Sequence, residues 1–264
     1  MPPQDVLEKK TETPKVVPAL NKESISPTVL NRIIISIILL IIVIQIGFFK
    51  TYIQHFPRFE EYSAGHGNTR YNFTMHFHGV MMMGWVWMLL LQPILILKGK
   101  TRLHRRVGSL SYVLAPLVLF SLYLANRDQF QNTAAHDGQT AAIAGLALTL
   151  PEAVFFAILY SLAIFYRNRP ALHMRFMCST AFLFLNPAMG RMFRTYFDFR
   201  LGFAISSPIV LSVVGLITIV DSLRTKRLSP FTLVFGLMLL HKIIWELRNT
   251  PFWQATGSVI ARMF

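Results

Sequence analysis

Residues 31–49 of the chain have the sequence NRIIISIILLIIVIQIGFF, and this stretch decides the fold class. Its one charged residue is Arg32, and its length is close to the ~20 apolar residues that an α-helix needs to cross the hydrocarbon core of a bilayer. A cleaved signal peptide is not expected, because no small-residue cleavage site accompanies the apolar run. The stretch therefore predicts a membrane-spanning helix.

Further apolar runs of similar length follow it along the chain. The predicted spans are Asn31–Phe49, Met75–Leu97, Val107–Ala125, Ala141–Tyr166, Ala171–Phe193, Leu201–Leu223 and Phe231–Leu247. Several of them contain an internal proline, which removes a backbone donor and tends to kink a helix. The predicted fold is an all-α integral membrane bundle of about seven transmembrane helices, occupying residues 31–250.

The composition agrees with a membrane protein. Hydrophobic residues make up 53% of the 264 residues and charged residues only 14%, whereas soluble domains carry about 25% charged residues. Cys178 is the only cysteine, which excludes a disulfide framework. The sequence contains no G-x-S-x-G elbow, phosphate loop, dinucleotide fingerprint or H-E-x-x-H motif, so whether the protein is an enzyme stays open.

The charge is strongly basic, with 26 Lys and Arg against 12 Asp and Glu. Most of the basic residues lie in the N-terminal region and in connections near residues 98–106, 167–175 and 222–227, at the ends of apolar spans. This spread argues against nucleic-acid binding. It predicts instead, by the positive-inside rule, a cytoplasmic N-terminus and an external C-terminus in a bacterial inner membrane. The expected partners are the lipid bilayer and anionic lipid headgroups at the cytoplasmic face.

The two termini differ from the apolar region between them. Residues 1–30 are polar, rich in proline and without apolar periodicity, which predicts a disordered cytoplasmic tail. Residues 251–264 are predicted to form a short extracytoplasmic segment.

Ionisable residues inside the spans are the first candidates for a site, because each costs at least ~2.5–3.5 kcal/mol to insert into a bilayer. Depth counting at 1.5 Å per residue predicts a polar layer near the outer surface, formed by Glu152, Arg191, Arg194 and Glu246. Glu152 and Arg191 form a structural ion pair between two helices, or Glu152 has a function, either as a proton-handling carboxylate or in a ligand clamp with Arg191 and Arg194.

Histidines suggest a second kind of site. His76 and His78 are two residues apart, so on a regular helix they point about 200° apart and cannot both ligate one metal. At a frayed helix start both could. His78 and Met82 share a helix face, and imidazole with thioether suits copper. His76 or His78 paired with His241 across the bundle would suit haem b. The alternative for His241 is a hydrogen-bonded core histidine. Weaker candidates are His55, His66 and His136.

A third cluster is predicted at the inner face. Its members are His104, Arg105, Arg106 and His173. The cluster is interpreted either as a second haem pair or, more simply, as a basic surface that binds lipid headgroups.

One stretch also carries a family resemblance. The residues concerned are His76-Phe77-His78-Gly79, Gly84-Trp85, Gln92-Pro93, Leu103-His104-Arg105-Arg106-Val107-Gly108 and Tyr112, with Arg191 as a weaker match. Over residues 72–125 the chain resembles a family of polytopic bacterial membrane proteins of unknown function. That resemblance implies a multi-helix membrane fold and no particular activity. A looser similarity to membrane b-type cytochromes and haem–copper proteins implies a haem or copper cofactor.

The sequence is therefore compatible with three functions. The first is a redox or electron-transfer protein that binds haem b or copper through His76, His78 and His241. The second is a small-molecule transporter or permease in which Glu152 and Arg191 line a polar cavity. The third is a non-catalytic membrane sensor or assembly factor.

Overall fold

A computed structural model describes residues 25–59, 71–197 and 202–264, and within these ranges every regular element is a helix. The α-helices are α1 (Pro27–Phe49), α2 (Phe73–Leu97), α3 (Thr101–Ser109), α4 (Ser111–Asp137), α5 (Gln139–Phe165), α6 (Pro170–Ser179), α7 (Phe182–Phe197), α8 (Gly202–Thr225), α9 (Phe231–Glu246) and α10 (Pro251–Ile260). Short 3₁₀ turns cover Ile53–His55, Leu247–Asn249 and Ala261–Met263.

Side-chain caps explain where several helices begin. The Asn72 side chain accepts a hydrogen bond from the backbone N–H of Met75 at 3.0 Å and starts α2. Ser26 and Thr250 cap α1 and α10 in the same way, and a proline follows each at the first helical position. These are the residue types that satisfy the free N–H groups of a first helical turn.

The chain is a multi-pass membrane protein. Within the described ranges, five helical stretches are long and apolar enough to cross a membrane: α1, α2, the combined stretch Thr101–Asp137, α5 and α8. The predicted all-α membrane bundle is therefore confirmed.

The predicted number of seven uniform spans is not met. The fifth predicted span divides into α6 and α7, because the N–H groups of Thr180 and Ala181 bond to Met177 and Cys178 in tight turns that interrupt the helix. The seventh corresponds to α9, which has only 16 residues before a 3₁₀ turn ends it. The predicted tail lies mostly outside the described residues, and α1 already begins at Pro27.

Two other predicted boundaries also differ from the structure. The connection expected after residue 125 is helical as far as Asp137, and the chain turns at Gly138, whose φ of 87° favours glycine. Residues 251–260 form α10, which packs on α5 through Trp253. The Trp253 indole N–H donates to the Ile143 carbonyl at 3.0 Å.

The helices form a closed ring in the order α1, α2, α4, α5, α9, α8 and α7, with α7 packing against α1 again. α6 lies at one end of the ring, against α5 and α9. The main core fills the interior, where the buried Trp85 ring packs against Phe156 and Tyr160 at centroid distances of 4.9 and 5.5 Å.

The two ends of the ring differ in charge. We call the end at which α1 begins the basic end. Its charged residues in the described chain are Arg32, Lys98, Lys100, Arg102, Arg105, Arg106, Arg167, Arg169, Arg175, Asp221, Arg224, Lys226 and Arg227. The other, where α1 ends and α10 lies, is the distal end.

Candidate functional site

The candidate site is built from ionisable residues on the inward faces of the ring. On α5, Glu152 precedes the buried Phe156 and Leu159 by four and seven residues, so all three share one face of the helix. On α2, His78 precedes the buried Trp85 by seven residues and lies on the same face. Both helices therefore direct an ionisable side chain towards the interior.

α7 and α9 repeat this pattern. Arg191 follows the buried Phe184 and Ala188 by seven and three residues, and His241 follows the buried Val234 by seven. His78, Arg191 and His241 lie in the distal half, because each is within about two turns of a distal helix end, and Glu152 lies at the middle of α5.

Arg191 is the electrostatic centre of this group. Its guanidinium carbon lies 4.5 Å from the centre of the Phe48 ring of α1, and its Nη1 donates to the Pro187 carbonyl at 3.3 Å. It interacts electrostatically with both Glu152 and His78. A guanidinium has five N–H groups, and within the described ranges one of them, on Nη1, forms a hydrogen bond.

Glu152 has the fewest polar contacts of the four candidate-site residues. Among the residues that the structure describes, it makes no hydrogen bond and no ion pair, and Arg191 is its one charge neighbour. Its side chain is half-buried on the inward face of α5. Glu152 and Arg191, two members of the predicted polar layer, therefore interact electrostatically. They do not form the direct ion pair that was one of the two interpretations of these residues.

His78 completes the group from α2. Its Nδ1 lies 3.1 Å from the Ser121 hydroxyl of α4, and that hydroxyl donates its own proton to the Val118 carbonyl at 2.8 Å. Because the Ser121 proton is already used, Nδ1–H is the donor and Nε2 is left as an acceptor. Within the described chain, Nε2 makes no hydrogen bond.

His241 lies at a similar depth but is fully engaged in the core. Its Nε2 lies 2.8 Å from the Leu148 carbonyl, which accepts the proton, and its ring packs against Phe155 and Phe203. Leu148 is one turn from Glu152, about 6 Å along the axis. His241 thus has the environment of a hydrogen-bonded core histidine. Ligation of haem iron by Nε2 would require the hydrogen bond to the Leu148 carbonyl to break.

His76 points away from the interior, as its spacing from His78 predicts. Its Nδ1 lies 2.5 Å from the Tyr52 hydroxyl, and its ring contacts Phe59 at 4.7 Å. Burial raises the pKa of the Tyr52 phenol above its ordinary value.

The structure does not bring His76 or His78 into contact with His241, and Met82 packs against the apolar core. Across the described ranges, no group of three or more His, Cys, Asp or Glu residues is placed to hold a metal ion. Haem b and copper remain predictions.

The other members of the predicted polar layer lie at its edge or outside it. Arg194 is exposed and interacts electrostatically with Arg191. Glu246 is also exposed and pairs at the end of α9 with Lys242 and, at 3.9 Å, with Arg248. Glu246 is therefore a surface residue at the last position of α9.

The remaining histidine candidates lie apart from the group. His136 is exposed near the end of α4, and His55 Nε2 lies 3.0 Å from the Lys50 carbonyl. His66 lies outside the described residues.

The predicted inner-face cluster forms at the basic end. His104 and His173 interact electrostatically, His173 Nδ1 donates to the Ala163 carbonyl at 2.7 Å, and the Gln92 amide bonds to His104 Nδ1. The neighbouring Arg105 and Arg106 are exposed. Each histidine is thus held by a hydrogen bond to the end of a neighbouring helix.

Sequence reasoning missed a network at this same end. Arg175 donates two hydrogen bonds to the Asp221 carboxylate, at 2.8 and 3.2 Å, and Ser229 donates a third at 2.6 Å. The available signal was Asp221 itself, an acidic residue near a helix end among arginines. This network ties α6 to α8 and is structural.

Compared with known proteins, the chain matches no protein family, no curated protein and no solved structure. The family resemblance of residues 72–125 therefore stays a prediction, and any function must be argued from the site.

Proposed function

We propose that the protein is a transporter or permease for a small polar solute, with Glu152 and Arg191 lining the binding cavity. The observation that carries this proposal is the environment of Glu152. It lies on the inward face of α5 without a hydrogen-bond or ion-pair partner in the described chain.

The cost of such an arrangement supports a functional role. An ionisable side chain within a membrane is expensive to insert, and such residues usually face a cavity or pair with one another. A direct ion pair with Arg191 would give a structural reason for Glu152, but Glu152 makes no such pair. Binding a solute or a proton accounts for the carboxylate better.

The chemistry of the group defines the solute class. Arg191 has free N–H groups for an anionic group, and the adjacent Phe48 ring gives the guanidinium an apolar support. Glu152 can accept a proton or a cationic group, and His78 Nε2 can accept a hydrogen bond. Small carboxylates and amino acids have the groups that this set recognises.

We also propose that the protein lies in a bacterial cell membrane with its N-terminus in the cytoplasm and its C-terminus outside. The support is the basic end, which includes the start of α1 and most of the described Lys and Arg residues.

The test is uptake into proteoliposomes. Radiolabelled lactate and alanine serve as probes of the two solute classes, and the wild-type protein should take up at least one of them above protein-free liposomes. Glu152→Gln and Arg191→Gln should reduce uptake to the protein-free level, because each removes one side of the cavity. Arg191→Lys should retain partial uptake, since it keeps the charge but loses the forked geometry.

Glu246→Gln is the matched control. It also removes one carboxylate, but from an exposed surface pair, so its uptake should equal that of the wild type. Wild-type uptake that survives Glu152→Gln, or no uptake of either probe, would count against the proposal.

A further inference from the structure

An apolar groove opens on the side of the bundle at the basic end. Tyr166 at the end of α5, Phe176 of α6 and Gly236 of α9 lie on its walls, and its volume is about 560 Å³. It extends along α9 from Thr232 to Leu240, which is about 12 Å along the helix axis. We call it the lateral groove. Neither Glu152 nor Arg191 lines it.

The lateral groove is apolar inside and charged at its mouth. The residues along α9 are mostly Leu and Gly, whereas Tyr166 and Leu228 line the groove at the basic end. Arg169 lies beside Tyr166, with its guanidinium 6.0 Å from the Tyr166 ring centre, and Arg227 directly precedes Leu228. Both arginines are exposed, and in the described chain neither guanidinium forms an ion pair.

We propose that the lateral groove binds one anionic phospholipid, with an acyl chain along α9 and the headgroup phosphate between Arg169 and Arg227. Charge complementarity selects this occupant: an acyl chain suits the apolar walls, and an anionic headgroup suits two exposed guanidinium groups. Basic residues next to membrane helices attract anionic headgroups. The groove also runs parallel to the membrane-spanning helices, which is the direction of a lipid chain.

Gly236 offers a direct way to fill the groove. A Cβ added at Gly236 meets no atom within 4 Å, so Gly236→Leu places its side chain in the groove without a backbone clash. Gly145 on α5 is equally open, lies in the distal half and does not line the groove. Gly145→Leu is therefore the matched control, because it makes the same change in helix propensity and hydrophobicity elsewhere.

The experiment measures lipid that stays bound to the full-length protein after detergent purification from vesicles of equal phosphatidylglycerol and phosphatidylcholine. Native mass spectrometry counts bound lipids and copies of the chain. The wild type should retain phosphatidylglycerol in preference to phosphatidylcholine. Gly236→Leu should lose most of this lipid, and Gly145→Leu should retain it.

Charge variants test the headgroup contact with little risk to folding, because the residues are exposed. Arg169→Gln with Arg227→Gln should reduce the preference for phosphatidylglycerol by roughly 30-fold. Arg127→Gln with Arg262→Gln removes two exposed arginines from the distal end and should leave the preference unchanged.

Three results would overturn the proposal. One is a wild-type protein without a preference for phosphatidylglycerol, and another is equal retention by Gly236→Leu and Gly145→Leu. The third is a dimer free of phospholipid, which would indicate that a second copy of the chain covers the groove. None of these results depends on solute uptake. A negative result for lipid binding can therefore be distinguished from a negative result for the proposed transport function.

Discussion

At the scale of single residues, glycines allow the backbones of neighbouring helices to touch. A Cβ at Gly47 would overlap the Ala188 carbonyl oxygen, and one at Gly202 would overlap the Gly190 carbonyl oxygen. α7 therefore packs closely against α1 on one side and α8 on the other. Arg191 lies near both contacts in sequence, so these glycines help to hold its helix in place. Small residues at helix contacts are typical of membrane proteins.

Gly47→Ala is expected to destabilise the bundle by about 1–3 kcal/mol, because the added methyl group forces α1 away from α7. Thermal unfolding in detergent should show a lower midpoint than the wild type. Gly145→Ala is the control, since its Cβ meets open space, and the better helix propensity of alanine should stabilise it by up to about 1 kcal/mol. Equal midpoints for the two variants would contradict the close approach of α1 and α7.

At the scale of elements, the break between α6 and α7 is supported by a neighbouring helix. Thr180 at the break donates its hydroxyl proton to the Met177 carbonyl at 2.7 Å, and its oxygen accepts the Trp85 indole N–H at 3.0 Å. The polar groups at the break are thereby satisfied inside the bundle, as interrupted helices in a membrane require. α2 consequently carries both His78 of the candidate site and the tryptophan that holds the broken helix.

Trp85→Phe should destabilise the protein by about 1–3 kcal/mol, because it removes this hydrogen bond and part of a buried ring. The free energy of unfolding in mixed detergent measures the effect. Trp87→Phe lies on the same helix but is 55% exposed, so its cost should stay within about 0.5 kcal/mol. The idea would fail if the two substitutions had the same effect.

At the scale of the whole molecule, the ring decides which residues share an end. α3, the end of α5, the start of α6 and the loop before α9 all lie at the basic end, whereas α10 lies at the distal end. All helices of the bundle therefore share one membrane orientation. Labelling one residue at each end of the bundle measures this orientation.

In a Cys178→Ser background, Arg102→Cys marks the basic end and Asp137→Cys marks the distal end, and both positions are exposed. With the basic end in the cytoplasm, a membrane-impermeant maleimide should label residue 137 in intact bacterial cells. Residue 102 should react only after the cells are permeabilised. The reverse pattern in intact cells would show the opposite orientation.

Much of the candidate site follows from local rules. The seven-residue spacings from His78 to Trp85 and from Val234 to His241 identify inward helix faces, and the cost of burying charge singles out Glu152 and Arg191. Depth counting also predicted Glu246 in this layer, and it could not show that the Glu246 side chain is exposed at the end of α9.

The sequence alone therefore determined the membrane class, the approximate spans and the uneven distribution of charge, since apolar length and helical period are properties of contiguous residues. The tertiary structure decided which side chains meet. It brought Arg191 near Glu152 and His78, and it placed His241 against Leu148. Such pairings depend on the order of helices around the ring and on contacts of a few ångströms between residues far apart in the chain.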